Sequence, residues 1–156
     1  MIVGVSNIYS QNNKGIGISE QDTIAYMATL YRRRNEFIGQ PLGTFIAEYK
    51  KHLPINFMGY GGTSPWIDPK GESYVNHISI CYHDDAQMGI RDFNRKGNYI
   101  LYIEFKNPFM TYYDFGKQFY DNMSYSDMVD MIKDKYIIKD IDMYLAQILC
   151  KSEKLK

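Results

Sequence analysis

Two stretches, Tyr74-Val75-Asn76-His77-Ile78-Ser79-Ile80-Cys81-Tyr82 and Tyr99-Ile100-Leu101-Tyr102-Ile103-Glu104-Phe105, decide how the chain around them is read. In the first, Tyr74, Asn76, Ile78, Ile80 and Tyr82 fall on one face at a period of two. Val75, His77, Ser79, Cys81 and His83 fall on the other. Such alternation marks a strand with one buried face, and Tyr, Val and Ile suit a pleated, half-buried surface. In the second, Tyr99, Leu101, Ile103 and Phe105 share a face, while Ile100, Tyr102 and Glu104 share one that is only partly polar. That strand, read over 98–105, is therefore expected to be central, with helices over both faces, and the first is read over 73–82. Asp68-Pro69-Lys70-Gly71 fits a type I turn before the pair, and Asn94-Arg95-Lys96-Gly97 is a similar signal between its members. Asn107-Pro108 ends the second strand, because proline has no ladder donor. The link from His83 to Lys96 is too long for a tight hairpin and has room for a short extra strand over 88–93.

Upstream, residues 1–9 read as a further strand. Met1-Ile2-Val3-Gly4-Val5 is too short, and too poor in flanking bases, for the core of a signal peptide. Ser19 and Asp22 form a capping box. They predict a helix over 20–37 with Ile24, Met27, Leu30 or Tyr31, and Phe37 inward. Arg32, Arg33 and Arg34 fall in its last turns, where the helix dipole favours cations. After Gly39-Gln40-Pro41, residues Leu42, Phe45, Ile46, Tyr49 and Leu53 repeat at helical spacing and predict a helix over 42–53. Residues 55–60 read as a short strand. The aromatic run over 108–123 has no regular period. Ser124 and Asp127 form a second capping box ahead of a helix over 125–135. Asp140 is read as the cap of a last helix over 141–150, with Ile141, Leu145, Ile148 and Leu149 on one face. Together these predict one α+β domain over residues 1–156. Its mainly antiparallel sheet has about four strands, covered by N-terminal and C-terminal helices.

An apolar fraction of 45% supports a core, and no apolar run approaches the ~18 residues of a membrane span. Two cysteines, Cys81 and Cys150, without metal-type spacing point to a reducing compartment such as the cytoplasm. A formal net charge of zero removes general electrostatic capture of nucleic acid as the default. The 15 tyrosines suit an interface, since each brings a rigid ring with a polar tip. An AT-rich gene would produce the same excess.

No catalytic residue is assigned, and no cofactor or metal is expected. His77, Ser79, Cys81 and His83 share a strand face with Asp84-Asp85 beside them, yet residues two apart on a strand lie ~6.5–7 Å apart and metal ligands must converge to ~2 Å. His77-Ile78-Ser79-Ile80 matches one half of a two-histidine phosphoesterase motif, and neither His52 nor His83 supplies the other half. The thiols have no identifiable neighbouring base. The binding candidates are basic and aromatic: Arg32, Arg33 and Arg34 with Lys50 and Lys51; Arg91, Arg95 and Lys96; and Tyr112 with Tyr113. Each basic group is also an ordinary solvated helix end or turn. From 107 to 150, seven aspartates oppose four lysines, which would give an acidic helical face for docking on a basic nucleic-acid channel, although an ordinary solvated face is commoner. An alternative reading is a nucleotide-binding protein or small enzyme. There Gly59, Gly61, Gly62 and Thr63 would cradle a phosphate, with His77 and His83 in the site.

Gly61-Gly62-Thr63, Gly71, Tyr74, Asn76, Gly97, Tyr99, Leu101 and Phe105-Lys106 stand in an order and rough spacing that resembles the C-terminal β region of a streptococcal phage anti-CRISPR family that inhibits Cas9. The resemblance is confined to this central β region. It implies a dimeric inhibitor without enzymatic activity, whose partner is a host protein or ribonucleoprotein complex in the host cytoplasm. It carries over no contact residue. A phage structural or assembly component is the other class left open.

Overall fold

The computed structural model describes residues 19–62, 73–94, 96–106 and 110–146. Along them run α1 (Glu20–Arg32), α2 (Leu42–Tyr49), β1 (Phe57–Gly62), β2 (Tyr74–Cys81), α3 (Asp85–Phe93), β3 (Asn98–Phe105), β4 (Met110–Thr111), α4 (Tyr112–Gly116), α5 (Tyr125–Ile132) and β5 (Ile138–Ala146). The fold is α+β, with a sheet of five antiparallel strands. The strand expected over 1–9 lies outside the described residues, as do Thr63 and Arg95.

Local chemistry sets the helix starts. The side chains of Ser19, Thr111 and Ser124 each accept the backbone N–H three residues on at 3.1 Å, opening α1, α4 and α5. This satisfies donors that a helix terminus leaves unpaired. Helix α2 has no side-chain cap. Its Leu42 and Gly43 amides instead donate to the carbonyls of Tyr136 and Lys133, both at 2.8 Å, so the segment between α5 and β5 caps it. The helix expected over 20–37 ends at Arg32, and Arg34–Glu36 forms a 3-10 turn. Gly39, at φ +82°, then turns the chain toward α2.

The strands run in the order β1-β2-β3-β5. Along β2, Ile80 to His77 pair with Leu101 to Glu104 of β3, and Val75 and Tyr74 pair with Met110 and Thr111 of β4. Two bulges adjust which side chains face inward. Gly61 opposes His77 while Gly62 opposes Val75, so Asn76 is the extra residue in β2. Its insertion reverses the alternation and brings Val75 onto the buried face with Ile78 and Ile80, correcting the strict period-two assignment. In β5, Glu104 opposes Asp140 while Phe105 opposes Ile138, so Lys139 is the extra residue and Ile138 and Ile141 both point inward.

Two expected elements change type. Residues 141–146 belong to β5, not to a helix. Asp140-Ile141-Asp142-Met143-Tyr144-Leu145 alternates as strictly as it repeats helically, and pairing with β3 from Asn98 to Phe105 selects the strand. Residues 147–150 of that expected helix lie outside the described chain. The region given room for an extra strand is α3, whose Arg91 Nε donates to Gly97 O at 2.8 Å.

One hydrophobic cluster joins the helices to a single face of the sheet. Met27 and Leu30 of α1, Phe45 and Tyr49 of α2, Phe115 of α4, and Val129 and Ile132 of α5 meet Ile78, Ile80, Leu101, Ile103 and Ile141. Burying each side chain of this size is worth about 1.5–3 kcal/mol, so the helical layer holds the sheet from that side. Strand β3 is central, as expected, but only partly covered on its second face. Asn98 and Ile100 are buried at the end where α3 packs, through Asn98 Nδ2 to Met88 O at 3.3 Å. Tyr102 is half-buried and Glu104 keeps 27% side-chain exposure.

Candidate functional site

The open half of the sheet carries a grouping of ring and charged side chains. Register places Gly61, His77, Glu104 and Asp140 in one row across β1, β2, β3 and β5, and Gly59, Ser79, Tyr102 and Asp142 in the next. The His77 ring stacks on Tyr102 with centroids 4.2 Å apart and planes at 30°. Tyr102 is 6.5 Å from Tyr144, which is 41% exposed. The His77 ring lies over Gly61, where a Cβ would stand 2.5 Å from Nε2 and 3.4 Å from the hydroxyl of Tyr112. Tyr112, at the start of α4, is 5.6 Å from Tyr60. A band of rings thus runs from Tyr112 at one end through His77 and Tyr102 to Tyr144 at the β5 edge; Tyr60, opposite Ile78, faces the helical layer, 4.8 Å from Phe115 of α4. Among the described residues, no helix lies over the His77, Tyr102 and Tyr144 rings.

Electrostatics along this face are acidic. Glu104 pairs with Lys139 at 2.7 Å. Asp140 and Asp142 each accept the amide of the next residue at 2.8 Å, and among the described residues no cation pairs with either. Burial lowers the pKa of His77, and Glu104 opposes that shift without reversing it. Burial, then Glu104, raises the Tyr102 phenol. At neutral pH the histidine is a neutral aromatic platform and the tyrosine a neutral donor.

The basic candidates serve other ends. Arg33 bridges Glu36 at 2.8 Å and Glu48 at 3.1 Å, so it ties the end of α1 to α2. Lys51 also pairs with Glu48, and Lys50 reaches Asp130 of α5 at 2.7 Å. Arg34 lies over the Tyr31 ring at 4.5 Å, and Arg32 donates to Thr29. Only Arg32 and Arg34 of this cluster lack a carboxylate partner among the described residues. Arg91 pairs with Glu20 at 2.5 Å and Lys96 is exposed, so these do not join the first cluster. Tyr112 belongs to the ring band. Tyr113, 70% exposed, holds Lys117 over its ring at 3.7 Å.

The nucleotide candidates are not brought together. Gly59, Gly61 and Gly62 lie in β1 and none has positive φ, so they form a strand and not a phosphate-binding loop. Their small size admits neighbours: a Cβ on Gly62 would run into the Tyr74 carbonyl. His77 sits on the ring band, whereas His83 lies against Tyr82, with ring centroids 4.0 Å apart, and beside Arg91 at the α3 end. Cys81 is buried and its thiol is pushed up to about 11, chiefly by desolvation, so it is protonated at neutral pH. No cluster of three His, Cys, Asp or Glu is placed to hold a metal ion among the described residues.

Tyr102 and Tyr144 were not among the residues singled out from sequence, and Asp142 entered only as one of seven aspartates on an expected helical face. Tyr102 was visible as the aromatic member of the partly polar face of β3. The helical reading of 141–150 hid Tyr144 and the placement of Asp142 opposite Tyr102. Fold and face define an α+β protein whose sheet, among the described residues, is covered mainly on one side. No family model, curated protein or solved structure matches the chain, and no helix among the described residues is long and apolar enough to cross a membrane.

Proposed function

We propose that this chain is a binding protein that acts by protein–protein contact, using the open half of its sheet to block a host complex, as an anti-CRISPR protein would. The observation that carries the reading is the ring band from Tyr112 through His77 and Tyr102 to Tyr144. Tyrosines on a rigid sheet bring large contact area at low entropic cost, and such rings dominate interface energetics. The resemblance of the central β region supports an RNA-guided effector as the host complex.

The test is retention of purified Cas effectors on immobilised protein, with target cleavage measured in parallel. Wild type is expected to retain and inhibit at least one effector. Tyr144→Ala, which removes an exposed ring, should lose both while melting at the same temperature. Equal retention by the variant would move the functional surface elsewhere, and no retention across a broad effector panel would remove the anti-CRISPR reading.

A further inference from the structure

We infer that the face receives an arginine-bearing segment of its protein partner, with the guanidinium among Tyr102, Tyr144 and Asp142; this rests on the reading of the face as the binding surface. Asp142 stands directly opposite Tyr102 in the register, and Tyr144 follows two residues along the same side of β5. The two rings are 6.5 Å apart at an interplanar angle of 55°. A planar cation between them would lie well within the ~6 Å range for attraction to each ring. The carboxylate of Asp142 supplies the in-plane acceptor that a guanidinium fork matches.

The carboxylates are prepared for such a guest. Asp140 and Asp142 each commit Oδ1 to the amide of the next residue at 2.8 Å, which restricts the side chain. Less conformational freedom then remains to be lost on binding. Lys139, the nearest cation along β5, is held by Glu104 at 2.7 Å. The chain uses related chemistry on its own surface, with Arg34 over Tyr31 at 4.5 Å and Lys117 over Tyr113 at 3.7 Å.

Charge selects among occupants. A nucleic-acid strand would bring phosphates against Asp140 and Asp142, which no cation among the described residues offsets. A second copy packed face to face would oppose these same carboxylates to themselves. A basic protein segment meets them with opposite sign. Arginine suits the ring pair better than lysine, because guanidinium stacks and is more weakly hydrated.

The experiment is a titration of ¹⁵N-labelled full-length chain, followed by amide chemical shifts. Its probes are oligo-arginine, oligo-lysine and oligo-glutamate peptides of equal length and a thymidine oligonucleotide. Oligo-arginine should shift the amides of Tyr102, Asp142 and Tyr144, and bind roughly threefold tighter than oligo-lysine. Binding should weaken roughly tenfold in Asp140→Asn/Asp142→Asn and in Tyr144→Ala. Oligo-glutamate and the oligonucleotide should leave these amides unmoved. Oligonucleotide shifts on this face would overturn the assignment, as would arginine shifts centred elsewhere or unaffected by the two variants. Equal response to arginine and lysine would overturn the choice of guanidinium while keeping the face as a binding surface. If no probe moves the face, the arginine assignment falls and effector retention by Tyr144→Ala decides the face separately.

Discussion

At the scale of single residues, Gly61 and Gly62 are neighbours with different reasons to lack a side chain. A Cβ on Gly62 meets backbone, the Tyr74 carbonyl, which cannot swing aside. Gly62→Ala is expected to cost about 1–3 kcal/mol in chemical denaturation, the range of overpacking. A Cβ on Gly61 meets the His77 ring at 2.5 Å, and a ring can rotate. Gly61→Ala should therefore cost less stability but push His77 off Tyr102, weakening partner retention. A Gly62→Ala protein as stable as wild type would contradict the close approach at the bulge. Cys81 offers a second test. Desolvation raises its thiol to about 11, so little thiolate forms near neutral pH. In a Cys150→Ser background, Cys81 should resist a thiol reagent until the chain unfolds, and rapid native labelling would rule out the burial described.

At the scale of elements, the basic run at the end of α1 divides by geometry. Arg33 reaches Glu36 and Glu48, whereas Arg32 and Arg34 contact only their own helix end. Arg33→Ala should lower the melting temperature more than Arg32→Ala or Arg34→Ala, because it unties α1 from α2. Equal melting of the three would show that the clamp contributes nothing in solution, a result common for exposed pairs. The α3 end has a pH dependence of opposite origin. Burial, then the Arg91 cation, lowers the pKa of His83, while Glu20, Asn98 and Asp84 oppose this. His77 is also lowered, by burial. Both folded values lie below the unfolded value of ~6.5, so the unfolded chain binds more protons as pH falls through and below that value. Stability is thus complete above about pH 6.5 and declines as pH falls below that value. The carboxylates of Glu36 and Glu48, held down by their cation partners, add losses only nearer about pH 4 and below. Melting curves across this range should show the first decline, reduced in His83→Gln. An unchanged decline in that variant would assign it elsewhere.

At the scale of the whole molecule, β5 completes the sheet and supplies the far edge of the ring band. Ile141 is buried in the core while Leu145, on the same side of the strand, is 41% exposed. Ile141→Ala should cost about 2–5 kcal/mol, and Leu145→Ala much less. A helix over 141–150 would instead place both on one inward stripe, so equal large losses would favour the helix. Amide exchange gives an independent reading: protection should be strongest where Leu101 and Ile103 pair with Met143 and Ile141.

Local chemistry made much of this protein legible in its residues alone. Ser19 and Ser124 cap helices because each hydroxyl finds an amide three residues away, a contact that needs no distant partner. The span over 98–105 was readable to the residue, because alternation and its flanking turn signals agree. Elsewhere two periods fitted the same letters. Asp140 to Leu145 satisfies both helix and strand, and only the long pairing of β3 with β5, which satisfies the backbone of both, chooses between them. The bulges at Asn76 and Lys139 are likewise properties of paired strands, so the inward turn of Val75 and Ile138 could not be counted from either strand alone. The candidate surface depended on the same decision. Tyr144 and Asp142 reach Tyr102 only because β5 lies beside β3, whereas Arg33 and Lys50, conspicuous in sequence as part of a basic cluster, are taken up by Glu48 and Asp130. Sequence determined which segments have a buried side, since that follows from spacing; tertiary pairing decided which side chains share the uncovered face, since that depends on residues distant in the chain.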